Sequence, residues 1–369
     1  MTKYIKLLLF TFFPQVTFTN AQEVQPEIKD QTKFYGKEFF LIEGVAFPGS
    51  LRENTFDRLP KSYKDKVASL WDLSKNSAGI SVRFLSNSEK ISVKWTLLNN
   101  SNMVHMALTG IEGVDLYCKV DNNWQYVNTT KPDKFEKENE VLLIDNMKKE
   151  WREYKMYLPL YDGVIELEVG IDSLSEIIKP EKIIDKPIVF YGSSITQGGC
   201  ASRPGMMYTS IISRKLNMEC LNLGFSGNGK MEPELAEFFS GIDAKFYVFE
   251  CVPNMTLDEI RERVLPFVEI IRRSHPATPI VFIEGLIYER AFFNLKMQES
   301  IIERNRILRD NYDKLIKAGS RDIYYINNKY PLGTDHEATV DGVHFTDLGF
   351  MRYADYLITK FEEFGLIKK

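Results

Sequence analysis

The sequence predicts two folded parts in series, an all-β sandwich followed by a three-layer α/β unit. From about Phe39 to Gly170, apolar and polar residues alternate at a period of two with no long helical pattern between them. From Pro187 onward, apolar runs of strand length alternate instead with amphipathic stretches of helix length. The first pattern gives each sheet one buried face, so two sheets must cover each other. The second gives a parallel sheet with helices on both sides. At 369 residues the chain is long enough for both.

Within the first part, assigned to residues 30–173, Ile80, Val82 and Phe84 alternate with Ser81 and Arg83. Ile91, Val93, Trp95 and Leu97 alternate with Ser92, Lys94 and Thr96, and Ile165, Leu167 and Val169 with Glu166 and Glu168. Val114 to Val120, Asp121-Asn122-Asn123 and Trp124 to Val127 read as a hairpin. Many short strands of this kind indicate a jelly-roll-like sandwich. Such a domain either binds carbohydrate or packs against its neighbour and shapes one wall of a cleft. Trp124 and Tyr126 are candidates for sugar stacking, although hairpin packing is the commoner fate of such rings. Residues 174–186, with Ser175, Pro180 and mixed charge, read as a linker.

In the second part, residues 187–369, strand-like runs fall at 188–191, 220–223, 246–251, 280–284 and 323–326. Helical stretches fall at 206–216, 232–239, 257–273, 295–318 and 347–364. Thr256 and Glu259 form a capping-box pattern, Thr346 with Asp347 can cap the last helix, and Pro266 is expected to kink the third.

Residues 1–21 differ in kind. Lys3 and Lys6 precede the apolar run Leu7 to Phe13, and Thr19-Asn20-Ala21 ends the segment in small residues, the pattern of a secretory signal peptide. The expected location is therefore secreted or periplasmic, with no membrane-spanning segment left once the leader is removed. Its removal moves the net charge from -4 to about -6, which gives no basic face for nucleic acid. Cys118, Cys200, Cys220 and Cys251 are too scattered for a disulfide scaffold, although one bridge stays open, and Cys251 reads as a buried small hydrophobe. No spacing points to a metal site, and no cofactor is implied.

The chemistry is concentrated in Ile188 to Gly199, IVFYGSSITQGG, where an apolar strand ends abruptly in small polar residues. A serine there is exposed at the carboxyl end of a strand, where open α/β sheets form their crevices. Far downstream stands Asp341-Gly342-Val343-His344, followed by FTDLG. A carboxylate three residues before an imidazole can hold one ring nitrogen and leave the other to accept a serine proton. His336 beside Asp335 is a rival base without that spacing, and His105 and His275 read as packing or surface residues. The GxSxG elbow is absent, because Thr196 occupies the position of its second glycine.

GSSIT together with DGVHFTDLG resembles the SGNH, or GDSL-type, hydrolase family. Two middle blocks extend the resemblance. Asn222-Leu-Gly-Phe-Ser-Gly227 is similar to the block that supplies an oxyanion glycine, and Cys251-Val-Pro-Asn254 to the block that supplies an oxyanion asparagine. Gly113-Val-Asp-Leu-Tyr117 resembles the GxDLY signature of a domain that precedes some of these enzymes. The resemblance implies a flavodoxin-like α/β/α fold with strand order 2-1-3-4-5. It also implies a triad of Ser194, Asp341 and His344 that needs no metal, and oxyanion donors on Ser194, Gly227 and Asn254. Two positions depart from the family pattern: Ser193 stands where most relatives have aspartate, and Val252-Pro253-Asn254 replaces Gly-x-Asn. Arg203, just after the nucleophile loop, is a candidate substrate-binding residue. The activity expected is that of an exported serine esterase removing small acyl groups, acetyl foremost, from carbohydrate. The alternatives are a lipase or lysophospholipase and a non-catalytic carbohydrate-binding protein with a degenerate esterase domain.

Overall fold

The computed structural model describes residues 26–133, 135–182 and 185–368, so the expected leader lies outside the described residues. Strands β1 (Glu27–Lys29), β2 (Thr32–Tyr35), β3 (Leu41–Glu43), β4 (Ser81–Ser86), β5 (Ile91–Leu97), β6 (Asp115–Val120), β7 (Asn123–Thr129), β8 (Glu138–Ile144), β9 (Arg152–Tyr157), β10 (Val164–Asp172) and β11 (Ile177–Ile178) build two antiparallel sheets. One has the order β1-β2-β10-β5-β8 and the other β11-β4-β9-β6-β7, with β3 against β4. The alternating apolar residues of β4, β5, β6, β9 and β10 meet in one core, where Val82, Phe84, Val93 and Met156 are fully buried. Asp121 and Asn122 take positive φ values of 47° and 64°, the left-handed pair that a tight hairpin turn requires. The segment read as a linker contributes β11, which extends the second sheet beside β4.

The outer face of that second sheet is not solvated, which its polar residues would not suggest. Arg83 is buried between Glu43 and Glu153 at 2.6 Å from each, and Lys155 reaches Glu43 at 3.0 Å. This face packs on the α/β part. Trp124 Nε1 donates to Asn217 Oδ1 (3.3 Å), Tyr157 OH to the Ser210 carbonyl (3.4 Å) and Gly44 N–H to Glu219 Oε1 (2.9 Å). Polar residues on a strand face therefore mark an interface here, and their ion pairs leave few of the buried charges alone. Two short helices, α1 (Ala68–Ser74) and α2 (Leu108–Ile111), complete the joint. Leu70 and Trp71 of α1 share a core with Tyr191 and Phe249, and Ile111 of α2 shares another with Phe190 and Tyr208.

The second part comprises β12 (Ile188–Gly192), β13 (Cys220–Gly224), β14 (Phe246–Glu250), β15 (Ile280–Ile283) and β16 (Ile323–Ile326) with α3 (Ser194–Gln197), α4 (Tyr208–Leu216), α5 (Pro233–Ser240), α6 (Leu257–Ser274), α7 (Leu295–Lys317) and α8 (Asp347–Glu363). The sheet is parallel throughout, in the order β13-β12-β14-β15-β16, which is 2-1-3-4-5 within the unit. Both strand faces are buried, hence the near-continuous apolar runs. Val189, Tyr191 and Phe249 face α5 and α6, while Phe190, Val248 and Val281 face α4 and α8. The capping box at Thr256 and Glu259 forms, and α6 continues through Pro266. Thr346 caps α8 by accepting from Gly349 N–H at 3.3 Å, whereas the Asp347 carboxylate turns to Ser202. All four cysteines are buried and free, so the bridge left open by the sequence is not made. Among the described residues, no helix is long and apolar enough to cross a membrane.

Candidate active site

The topology places the carboxyl ends of β12 and β14 side by side, and the crevice above them carries the site. After Gly192 the backbone turns at Ser193 (φ -84°, ψ -165°) into the single helical turn of α3, which lifts Ser194 out of the sheet. The turn is held from beneath by Glu250, the last residue of β14. Its Oε2 accepts from Ser193 N–H (3.1 Å), Ser193 Oγ (2.7 Å) and Thr196 Oγ1 (2.8 Å). Burial pushes the Glu250 carboxyl up from its ordinary range, and the bonds from Ser193 and Thr196 oppose that rise. This explains the serine at 193: the carboxylate that steadies the turn arrives from the neighbouring strand, so a second acid in the turn would face it at hydrogen-bond distance. The turn is also packed too closely for side chains. A Cβ on Gly192 would sit 2.4 Å from Thr196 Oγ1, and one on Gly224 would sit 2.1 Å from the Gln197 backbone nitrogen.

Ser194 Oγ lies 2.9 Å from His344 Nε2, and His344 Nδ1 lies 2.8 Å from Asp341 Oδ2. The other Asp341 oxygen accepts from the backbone N–H groups of Val343 (3.0 Å) and His344 (2.8 Å), which is how the Asp-x-x-His turn aims the imidazole. Partial burial pushes the Asp341 carboxyl up, but the bonds from the His344 ring and backbone, its charge and the Val343 N–H outweigh that and hold it below its ordinary value. The sequence-predicted serine, histidine and aspartate are therefore brought into one chain of hydrogen bonds. His336 is elsewhere, 2.8 Å from Glu289 Oε2.

The cleft above Ser194 has a volume of about 490 Å³ and is lined by Gly227, Asn254, Tyr288, Met297, Arg304 and Val343 among others. Gly227 has φ +67°, a conformation glycine adopts without strain. Neither its N–H nor that of Ser194 donates to a protein acceptor among the described residues. Asn254 occupies the cleft wall, yet its amide nitrogen faces the carbonyls of Phe225 (3.3 Å) and Asn228. In this arrangement it pins the Gly227 loop, and direct donation to an oxyanion requires one of those bonds to be released.

Arg203 is a correction. Its guanidinium does not line the cleft. It donates to Asp115 Oδ2 and Tyr117 OH, both at 2.6 Å, and stacks 3.8 Å from the Tyr126 ring centroid. Asp115 also accepts from Gly205 N–H at 2.9 Å. Within Gly113-Val-Asp-Leu-Tyr117, the aspartate and tyrosine thus clamp the loop that follows the nucleophile turn. Tyr126 and Trp124 belong to the same joint.

Several residues that shape the site were not legible in the sequence. Gln197 Nε2 donates to the Leu160 carbonyl (3.1 Å) while its Oε1 accepts from Ser226 N–H (2.9 Å), and Tyr161 OH points at the Ser194 carbonyl (3.5 Å). The sandwich also sends in Arg58, fully buried, which donates to the carbonyls of Gly224 (2.5 Å) and Leu73 (2.6 Å). Burial draws its guanidinium down to about 9. An acid ending the apolar strand β14 was the available signal for Glu250. His105, read as a packing or surface residue, reaches the site, with its ring centroid 5.9 Å from that of His344. His105, Cys200 and His344 offer nitrogen and sulfur atoms within 4.8 Å of one another, the one grouping of metal-ligand type among the described residues. Both His344 ring nitrogens are already engaged by Ser194 and Asp341, so a cation there would compete with the triad bonds.

A parallel α/β/α sheet whose switch-point crevice holds a Ser–His–Asp relay defines the class as a serine ester hydrolase. Residues 185–362 match the GDSL-like lipase/acylhydrolase family model, and residues 32–177 match the model of the N-terminal domain of SGNH-hydrolase-type esterases. A crystal structure from Bacteroides ovatus, described as that of a GDSL-like lipase, is 37% identical, with 91% of this chain and 99% of that one covered and a TM-score of 0.87. The chain belongs to the GDSL-type (SGNH) hydrolase family. The fold is shared more distantly with a salicylyl-acyltransferase of a tetracycline biosynthetic pathway (15% identity, 92% of this chain and 99% of that one, TM-score 0.75). It is also shared with a family two carbohydrate esterase from Cellvibrio japonicus (11% identity, 90% and 98%, TM-score 0.60). No curated protein sequence matches the chain.

Proposed function

We propose that the protein is an exported serine esterase that removes small acyl groups, acetyl foremost, from carbohydrate. In this reading Ser194 Oγ attacks the ester carbonyl, His344 Nε2 takes its proton and Asp341 holds the imidazolium through Nδ1–H. The oxyanion is met by the backbone N–H groups of Ser194 and Gly227, joined by Asn254 when its amide turns. Each such donor typically lowers the barrier by about 3 kcal/mol. Collapse expels the alcohol, which receives its proton from His344, and water then releases the acyl group by the same steps in reverse.

The observation that carries this reading is the relay from Ser194 through His344 to Asp341, at 2.9 Å and 2.8 Å, on the wall of an open cleft. Carbohydrate as the alcohol is supported by the shared fold of the carbohydrate esterase and by the preceding sandwich domain. Export rests on the leader-like pattern of residues 1–21. The test is to give the mature protein aryl acetate, butyrate and octanoate esters and acetylated polysaccharides, with Ser194→Ala as control. Acetate release that disappears in the variant is the expected result. A preference for octanoate indicates a lipase, and polysaccharide binding without turnover indicates a binding protein.

A further inference from the structure

Arg304 lies on α7 and lines the cleft together with Ser194 and His344. Its Nε is buried without a hydrogen-bond partner, and its guanidinium forms no ion pair among the described residues. Other arginines of the same helix behave differently: Arg306 pairs with Glu303 and Asp310 at 2.8 Å each, and Arg309 with Asp313 at 3.5 Å. The cause is local. The positions three and four residues from Arg304 along the helix are Ser300, Ile301, Ile307 and Leu308, so no acid shares its face. The cleft supplies none either, because no carboxylate among the described residues lines it. The acids nearest the reacting groups are committed, Asp341 to His344 and Glu250 to Ser193 and Thr196.

A half-buried, unpaired guanidinium is costly, and it is found where a ligand completes it. Its planar fork matches a carboxylate in a two-bond geometry that a sugar hydroxyl cannot match. We infer that Arg304 recognises a carboxylate on the substrate, which narrows the acyl-carbohydrate class to esters of acidic sugars such as uronates. This rests on the esterase reading above and adds to it the charge of the alcohol. In a protein of net charge -4, one fixed cation inside the cleft also selects against cationic esters.

The experiment compares kcat/KM for an acetylated methyl glucuronate with that for the matching acetylated methyl glucoside, in the wild type and in Arg304→Gln and Arg304→Lys. The wild type is expected to prefer the acidic ester by about tenfold to a hundredfold, the range of one charge-assisted pair. Arg304→Gln should abolish that ratio, and Arg304→Lys should retain part of it. In the wild type alone, free glucuronate should inhibit aryl acetate hydrolysis competitively at concentrations where glucose does not. That measurement still decides the matter if a variant misfolds. No acidic preference in an active wild type, or a ratio unchanged in Arg304→Gln, overturns the assignment and leaves the esterase reading intact. Aryl acetate hydrolysis absent from the wild type, or persisting in Ser194→Ala, removes the esterase reading itself.

Discussion

Asp115→Asn tests whether the GxDLY segment works as a clamp. Asp115 is fully buried, Arg203 is 18% exposed at its side chain, and the two meet at 2.6 Å. The substitution keeps the shape and the acceptor for Gly205 N–H but removes the charge that Arg203 faces. Stranding one member of a buried pair costs about 3–5 kcal/mol, and the partial exposure of Arg203 lets water return, so the expected loss is about 2–4 kcal/mol. Urea unfolding of wild type, Asp115→Asn, Arg203→Ala and the double variant measures it as a thermodynamic cycle, with an expected coupling of about 2 kcal/mol or more. Because the clamped loop runs back to the nucleophile turn, kcat should fall with stability. A coupling below about 0.5 kcal/mol refutes the reasoning, since residues in one buried network do not behave additively.

Ser193→Asp would place a second carboxylate against Glu250, so like charges at hydrogen-bond distance should destabilise the nucleophile turn and suppress activity; Glu250→Gln in the same chain should restore much of it. Urea unfolding and aryl acetate turnover check both, and full activity of Ser193→Asp alone counts against the role given to Glu250. Asn254→Ala should lower kcat by about a hundredfold with a smaller change in KM, by losing an oxyanion donor or by loosening the Gly227 loop. Steady-state kinetics check it, and an effect confined to KM argues for substrate contact instead. Glu112 is fully buried with both carboxylate oxygens unpartnered among the described residues, and burial, with Asp162 adding, pushes its carboxyl up to about 7. Its ionisation favours the unfolded chain as pH rises from the ordinary value toward 7. Relative to wild type, Glu112→Gln should therefore gain stability between pH 5 and pH 8, by on the order of 3 kcal/mol at most. Unfolding curves at both pH values measure the change, and a constant difference contradicts the assignment.

What the sequence made legible follows from the range of the forces involved. Local periodicity located β12 to β16 and α4 to α8 to within a few residues, because strands buried on both faces and helices buried on one leave their patterns in consecutive residues. The Asp341–His344 turn was legible because both groups lie within one turn of chain. Arg203 was misjudged since its proximity in sequence to Ser194 says nothing about Asp115, 88 residues away. The polar residues of β4 and β9 face another domain, and no local period distinguishes such a face from one turned to water. Arg304 reaches the cleft, His105 the His344 ring and Glu250 the underside of the nucleophile turn through tertiary packing alone, and only the topology brings them near Ser194.

Active-site labelling tests the centre of the account most directly. A fluorophosphonate should add once per chain, with peptide mass spectrometry placing the adduct on Ser194, and labelling should be lost in Ser194→Ala and strongly slowed in His344→Ala. An adduct on Ser193 or Ser226, or ester turnover surviving in Ser194→Ala, would mean that the relay seen in the fold is not the one that performs the reaction.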